Sequence, residues 1–162
     1  MPTLLALRVG FHTLVALAFF ALMRRYPTIG GPGWWALSAV AAIVGSFGFW
    51  FRGVLPDAVT YGLGNAALCV APLLAWLGLR SHLHILLPLR RAALAAVAVT
   101  VVQVMAVSVW DAPMVRQGLF ALSVLVTMAL GYRDLLHADP QRRVPEMQAL
   151  KLLTAAEFLA IF

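Results

Sequence analysis

Long runs of apolar side chains constrain this chain more than any other feature of its sequence. A helix needs about 20 apolar residues to cross the hydrocarbon layer of a bilayer, which is about 30 Å thick. Runs of about this length follow one another, separated by short segments rich in arginine, glycine and proline. The predicted fold is an all-α, polytopic bundle of about six transmembrane helices in one domain, residues 1–162. We place the spans at residues 3–23, 34–51, 58–79, 92–110, 114–130 and 147–162.

The composition requires a lipid environment. Hydrophobic residues make up 63% of the chain and charged residues only 11%, with a mean hydropathy of +0.93. A soluble domain carries about 25% charged residues. The net charge of +6 does not indicate nucleic-acid binding, because the basic residues flank the ends of apolar runs. We therefore predict membrane lipids as partners and no nucleic acid.

The distribution of arginines predicts the orientation. With the N-terminus outside, eight arginines fall on the cytoplasmic side and two flank the outer turns, which satisfies the positive-inside rule. Arg24 and Arg25 follow the first run rather than precede it, so this run is a retained anchor and not a signal peptide. We expect a multi-pass protein of the bacterial inner membrane. The cytoplasmic set is Arg24, Arg25, Arg80, Arg90, Arg91, Arg133, Arg142 and Arg143, and the outer pair is Arg52 and Arg116.

The last apolar run, residues 147–162, is short and has no flanking charge. Full spans usually end in an interfacial anchor. We expect the sixth helix to be incomplete in this sequence.

The sequence predicts no enzymatic activity, metal or cofactor. Gly30, Gly31 and Gly33 are not followed by the Lys-Ser/Thr of a phosphate loop. Of the four histidines only His12 lies clearly inside a span, so no histidine pair is placed to hold a haem. The six acidic residues are scattered, and the single cysteine, Cys69, forms no disulfide within the chain.

Polar residues inside the spans provide the candidate binding site. Arg8, Asn65 and Gln103 lie at similar depths on three helices, roughly 8–10 Å below the outer surface at 1.5 Å per residue. Each costs a few kcal/mol in lipid unless it faces protein or water. They indicate either a pocket for a small ligand from the outer side or hydrogen bonds that cross-link helices. The full candidate set is Arg8, His12, Arg52, Asp57, Asn65, Gln103, Trp110, Asp111 and Arg116.

Small residues share one face of the second span. Ala41, Gly45 and Gly48 would let a neighbouring backbone approach closely. The pattern favours packing within the chain, and a homodimer is the alternative.

The order of features resembles the multi-span N-terminal membrane region of bacterial GGDEF proteins, the diguanylate cyclases. The first span ends in a basic pair, and Gly33-Trp34 opens the second span. The turn 52–57 precedes the third span. That span contains Gly64-Asn65 and ends with Gly-Leu-Arg at residues 78–80. The similarity covers about residues 1–160 and is concentrated between Gly33 and Arg80.

The resemblance implies a sensory or anchoring input region for cyclic di-GMP signalling. In that family a further span returns the chain to the cytoplasm, where the cyclase lies. No Gly-Gly-Asp/Glu-Glu-Phe motif occurs in this sequence, so cyclase activity would require a further C-terminal domain. Two alternatives stay open: an accessory membrane subunit of a larger complex associated with a quinone, pigment or haem, and a small transporter.

Overall fold

The computed structural model describes residues 2–109 and 113–137, and these two ranges form helices and no strands. The elements in chain order are α1 (Pro2–Arg25), α2 (Pro32–Trp50), a π-helical segment (Ala58–Leu63), α3 (Gly64–His82), α4 (Leu89–Ser108) and α5 (Pro113–His137).

The described ranges contain five helices that are long and apolar enough to cross a membrane, with the π-helical segment and α3 counting as one. The all-helical class is therefore confirmed for this part of the chain, and the five apolar helices agree with the multi-pass character predicted from hydropathy. The predicted sixth span, residues 147–162, lies outside the described residues. The ends of the helices differ from the predicted ones, most clearly for α5, which continues past residue 130 to His137. Hydrogen bonding allows a helix to extend beyond its apolar run once its side chains reach the polar interface.

The chain divides into two compact units, Met1–Gly131 and Tyr132–Phe162, and the boundary falls within α5. In the described part of the second unit, Nη2 of Arg133 lies 3.4 Å from Oδ1 of Asp134. The Nδ1 atom of His137 is 2.8 Å from the carbonyl oxygen of Arg133, one helical turn earlier. The site discussed below lies entirely within the first unit.

The first four helices pack in chain order. Within this set α1 packs against α2, α2 packs against α3, and α3 packs against α4. Short connections make each pair antiparallel, so the start of α2 lies beside the end of α3: Nε1 of Trp35 donates a hydrogen bond to the carbonyl oxygen of Ala75 at 3.2 Å. At the same end, the Trp35 ring contacts Phe19 of α1 and His82 of α3, with centroids 5.3 and 5.7 Å away. Trp35 therefore connects three helices.

The far end of α2 and the start of α3 approach each other closely. A Cβ atom on Gly45 would lie 2.6 Å from Cγ of Leu68, and one on Gly48 would lie 2.9 Å from the carbonyl oxygen of Thr60. Both are shorter than ordinary van der Waals contacts. The small-residue face of the second span therefore packs within the chain, with Gly64 opposite both glycines.

The outer surface is apolar, and the buried core is small. Large hydrophobic side chains are exposed along every helix of the first unit, among them Leu4, Leu14, Val44 and Val97. One core cluster joins Ala42, Leu68 and Ala71 to Phe120. A second joins Trp76, Leu77 and Ala92 to Leu130. This distribution suits a bundle surrounded by lipid, where exposed apolar side chains carry no penalty.

The glycine contacts generate a stability prediction. Gly45→Ala and Gly48→Ala should each destabilise the bundle by about 1–3 kcal/mol, because an added methyl group must push α2 and α3 apart. Gly10→Ala is the matched control, since a Cβ atom there meets nothing within 4 Å. The measurement is the thermal unfolding of the detergent-solubilised protein followed by its helical circular dichroism. Equal unfolding temperatures for all three variants would contradict the proposed packing.

Candidate functional site

The turn between α2 and α3 positions one of the candidate arginines. The amides of Val54 and Leu55 both donate to the carbonyl oxygen of Phe51, at 3.1 Å each. Gly53 has a φ of 79°, a left-handed conformation that glycine adopts without a steric penalty. This tight turn places Arg52 next to the end of α2, where its guanidinium lies over the Phe49 ring, 4.6 Å from the centroid.

The chain then enters α3 through the π-helical segment rather than a regular α-helical turn. Such segments are rare and occur frequently at functional sites. Thr60 is fully buried, and a Cβ atom on Gly62 would lie 3.2 Å from a methyl carbon of Val104 on α4. The segment is therefore packed between α2 and α4, and it carries Tyr61.

Two arginines converge on Tyr61. The guanidinium carbon of Arg52 lies 4.5 Å from the ring centroid, and that of Arg116, on the first turn of α5, lies 5.2 Å from it. Both distances are within the range of cation–π interactions. Two positive charges therefore share one aromatic ring at this end of the bundle. We refer to Arg52, Tyr61 and Arg116 as the arginine–tyrosine cluster.

Gln103 lies buried behind this cluster. Its side chain is 0% exposed. Its Nε2 donates hydrogen bonds to Sγ of Cys69 on α3 and to the carbonyl oxygen of Arg116 on α5, both at 3.3 Å. Ser123 of α5 also lies beside the Cys69 thiol. One side chain of α4 thus joins the two helices that pack beside it.

The other half of the Gln103 amide is not satisfied. Within the described ranges, its Oε1 atom is buried without a hydrogen-bond partner. Leaving a buried acceptor unpaired costs about 1–3 kcal/mol. Arg116 is meanwhile held at two points, through its carbonyl oxygen by Gln103 and through its guanidinium by Tyr61. The position of Arg116 therefore depends on both the π-helical segment and α4.

The structure brings some of the predicted site residues together and separates others. Arg52, Arg116 and Gln103 belong to the arrangement above. Asn65 is half-buried, one helical turn before Cys69 on the same face of α3. Asp57 is exposed at the N-terminal end of the π-helical segment. Trp110 and Asp111 lie outside the described residues.

Arg8 and His12 lie on α1, which among the first four helices packs against α2 alone. Arg8 is exposed, and its carbonyl oxygen is 2.8 Å from Nδ1 of His12. The similar depth of Arg8 and Gln103 along their helices therefore does not place them in contact with the same neighbours.

Tyr61 and Phe49 are contributors that the sequence reasoning missed. Tyr61 follows Asp57 by four residues, close to the membrane interface, where tyrosine is enriched. That position in the sequence indicates a tyrosine ring at the interface. The sequence does not indicate the contact of this ring with Arg116, because the contact depends on α5 packing beside the start of α3.

Within residues 2–109 and 113–137, no group of three or more His, Cys, Asp or Glu side chains could hold a metal ion. Comparison of the chain with protein-family models, with curated proteins and with solved structures found no match.

The unpaired oxygen of Gln103 leads to a second prediction. Gln103→Met replaces the amide by an apolar side chain of similar length, so it removes two hydrogen bonds and one unpaired acceptor together. Hydrogen bonds between membrane helices contribute about 0.6 kcal/mol on average. We expect the stability of Gln103→Met in detergent to lie within about 1 kcal/mol of the original, because the two changes offset each other.

Thr100→Val is the control for this substitution. It removes a half-buried hydroxyl that donates within α4, to the carbonyl oxygen of Ala96 at 2.8 Å. A loss above about 2 kcal/mol for Gln103→Met alone would show that Gln103 mainly stabilises the bundle.

Proposed function

We propose that this chain is a membrane-embedded sensory or anchoring input region, of the kind found before the catalytic domain of GGDEF proteins. The resemblance in the order of loops and spans between Gly33 and Arg80 supports this proposal. The observation that carries it is the hydrogen bond from Gln103 to the backbone of Arg116. This bond connects the arginine–tyrosine cluster to the contacts among α3, α4 and α5.

A sensor needs a signal that binds one helix arrangement better than another. A ligand that contacts the Arg116 guanidinium acts on a residue whose backbone is bonded to α4 and whose helix also contacts α3. A shift of the first turn of α5 therefore changes the Gln103 contacts to both Arg116 and Cys69. The arginine–tyrosine cluster supplies the ligand contact, and Gln103 supplies the connection.

The proposed orientation has the N-terminus and the arginine–tyrosine cluster on the outer side of a bacterial inner membrane. The opposite end of the first unit carries more positive charge, as expected for a cytoplasmic face. Its arginines are Arg24, Arg25, Arg80, Arg90 and Arg91.

Cysteine accessibility in intact cells tests this orientation. Val54 is 78% exposed in the turn before the π-helical segment, and Leu86 is 90% exposed in the connection before α4. A membrane-impermeant maleimide should label Val54→Cys in intact cells and label Leu86→Cys only after the membrane is permeabilised. The unsubstituted chain is the control, because its single cysteine, Cys69, is buried. Labelling of Leu86→Cys alone in intact cells would reverse the orientation.

The nucleotide sequence of the gene tests the proposed link to an output domain. We expect the reading frame to continue past the codon for Phe162 into one further apolar span and a soluble domain with a GGDEF-type motif. An odd number of spans is needed to place that domain in the cytoplasm when the N-terminus is outside. A reading frame that ends at this codon would refute the input-region proposal.

A further inference from the structure

We propose that the arginine–tyrosine cluster binds a phosphate group presented at the outer membrane surface. This inference names the ligand chemistry of the site on which the proposed function rests. The group is either the headgroup of an anionic phospholipid or a soluble phosphate.

Two guanidiniums lie near one aromatic ring in the arginine–tyrosine cluster. Each guanidinium presents N–H donors in a planar fork that matches two oxygens of an anion. The two oxygens of a carboxylate lie in one plane and match one fork. The oxygens of a phosphate group are arranged tetrahedrally, so different arginines can donate to different oxygens. The guanidinium carbons of Arg52 and Arg116 lie 4.5 and 5.2 Å from the centroid of the same ring, and the proposed phosphate lies beside that ring, between the ends of the two side chains.

The cluster has no local counter-charge in the part of the chain that the structure describes. Here neither Arg52 nor Arg116 forms an ion pair with a carboxylate. Asp57, which is exposed one turn before Tyr61, is the acidic residue of the described ranges closest in sequence to the cluster. Two like charges on one ring repel each other, and a bound anion removes that repulsion.

Both arginines already make contacts that restrict their positions. The Arg52 guanidinium lies over the Phe49 and Tyr61 rings, the Arg116 guanidinium lies over the Tyr61 ring, and the Arg116 carbonyl oxygen accepts a hydrogen bond from Gln103. Ordering long side chains is one of the costs of binding, and such contacts reduce it. By contrast, Arg24 and Arg25 lie over separate rings, those of Phe20 and Tyr26.

The test measures the unfolding temperature of the full chain in a neutral detergent. Sodium phosphate is compared with sodium chloride at equal ionic strength, which removes general screening effects. Phosphate should raise the unfolding temperature, because a ligand that binds the folded state stabilises it. Arg52→Gln and Arg116→Gln should each weaken the apparent phosphate affinity about tenfold or more.

Two further variants separate site geometry from charge. Arg24→Gln removes the same charge from the opposite end and should keep the full phosphate response. Arg116→Lys keeps the charge but loses the planar fork, so it should bind phosphate more weakly than the original chain. Equal losses in Arg24→Gln and Arg52→Gln, or no phosphate response in the original chain, would overturn the proposal.

Lipid nanodiscs distinguish the two sources of the phosphate group. If the natural ligand is a lipid headgroup, free phosphate should stabilise the protein in phosphatidylcholine discs but not in discs that contain phosphatidylglycerol, because the anionic lipid already occupies the cluster. If the ligand is soluble, phosphate should act in both discs. Arg52→Gln should lose the response in either case.

The phosphate response and the reading frame of the gene test the proposed ligand and the proposed input region separately. A phosphate response that requires both arginines, together with a reading frame that lacks an output domain, would retain the site and reject the input region. An output domain in the gene without any phosphate response would retain the input region and reject phosphate as its ligand.

Discussion

In hydrocarbon, every backbone polar group must find a hydrogen bond within the protein, and this requirement shapes the whole molecule. It explains why residues 2–109 and 113–137 are almost entirely helical. It also makes departures from regular structure informative, because each must be supported by tertiary contacts. The π-helical segment Ala58–Leu63 is such a departure, and its buried residues Thr60 and Gly62 face α2 and α4. Tyr61, which both arginines contact, belongs to this segment.

Between helices that lie in lipid there is no hydrophobic driving force, and close packing stabilises the bundle instead. Lipid is as apolar as a leucine side chain, so membrane helices associate through van der Waals contact and polar bonds. Gly45, Gly48 and Gly64 bring the backbones of α2 and α3 together at the end of the bundle where Arg52 and Tyr61 lie. Trp35 joins α2 and α3 at the other end. The arginine–tyrosine cluster thus lies at an end of the bundle where the backbones of α2 and α3 approach closely.

The sequence predicted what depends on position along a helix and missed what depends on which helices are neighbours. Hydropathy predicted the five long apolar helices of the described ranges, and the cost of burying a polar amide in lipid singled out Gln103, which is buried. The rise per residue gave Arg8 and Gln103 similar depths, but depth does not specify lateral contacts, and α1 packs on α2. The π-helical segment and the shared Tyr61 ring depend on contacts among α2, α4 and α5, so no local pattern predicts them.

The hydrogen bonds of Gln103 help to decide whether the polar residues inside the spans only cross-link helices or also form a ligand site. A side chain kept purely for stability should satisfy both ends of its amide, because an unpaired buried oxygen costs about 1–3 kcal/mol while each interhelical bond returns about 0.6 kcal/mol. Gln103 uses its nitrogen fully and leaves its oxygen without a partner among the described residues. On these magnitudes its net contribution to stability is near zero or unfavourable. What the residue does provide is a direct link from Cys69 of α3 to the backbone of Arg116, and a link of that kind has value when Arg116 responds to something outside the bundle.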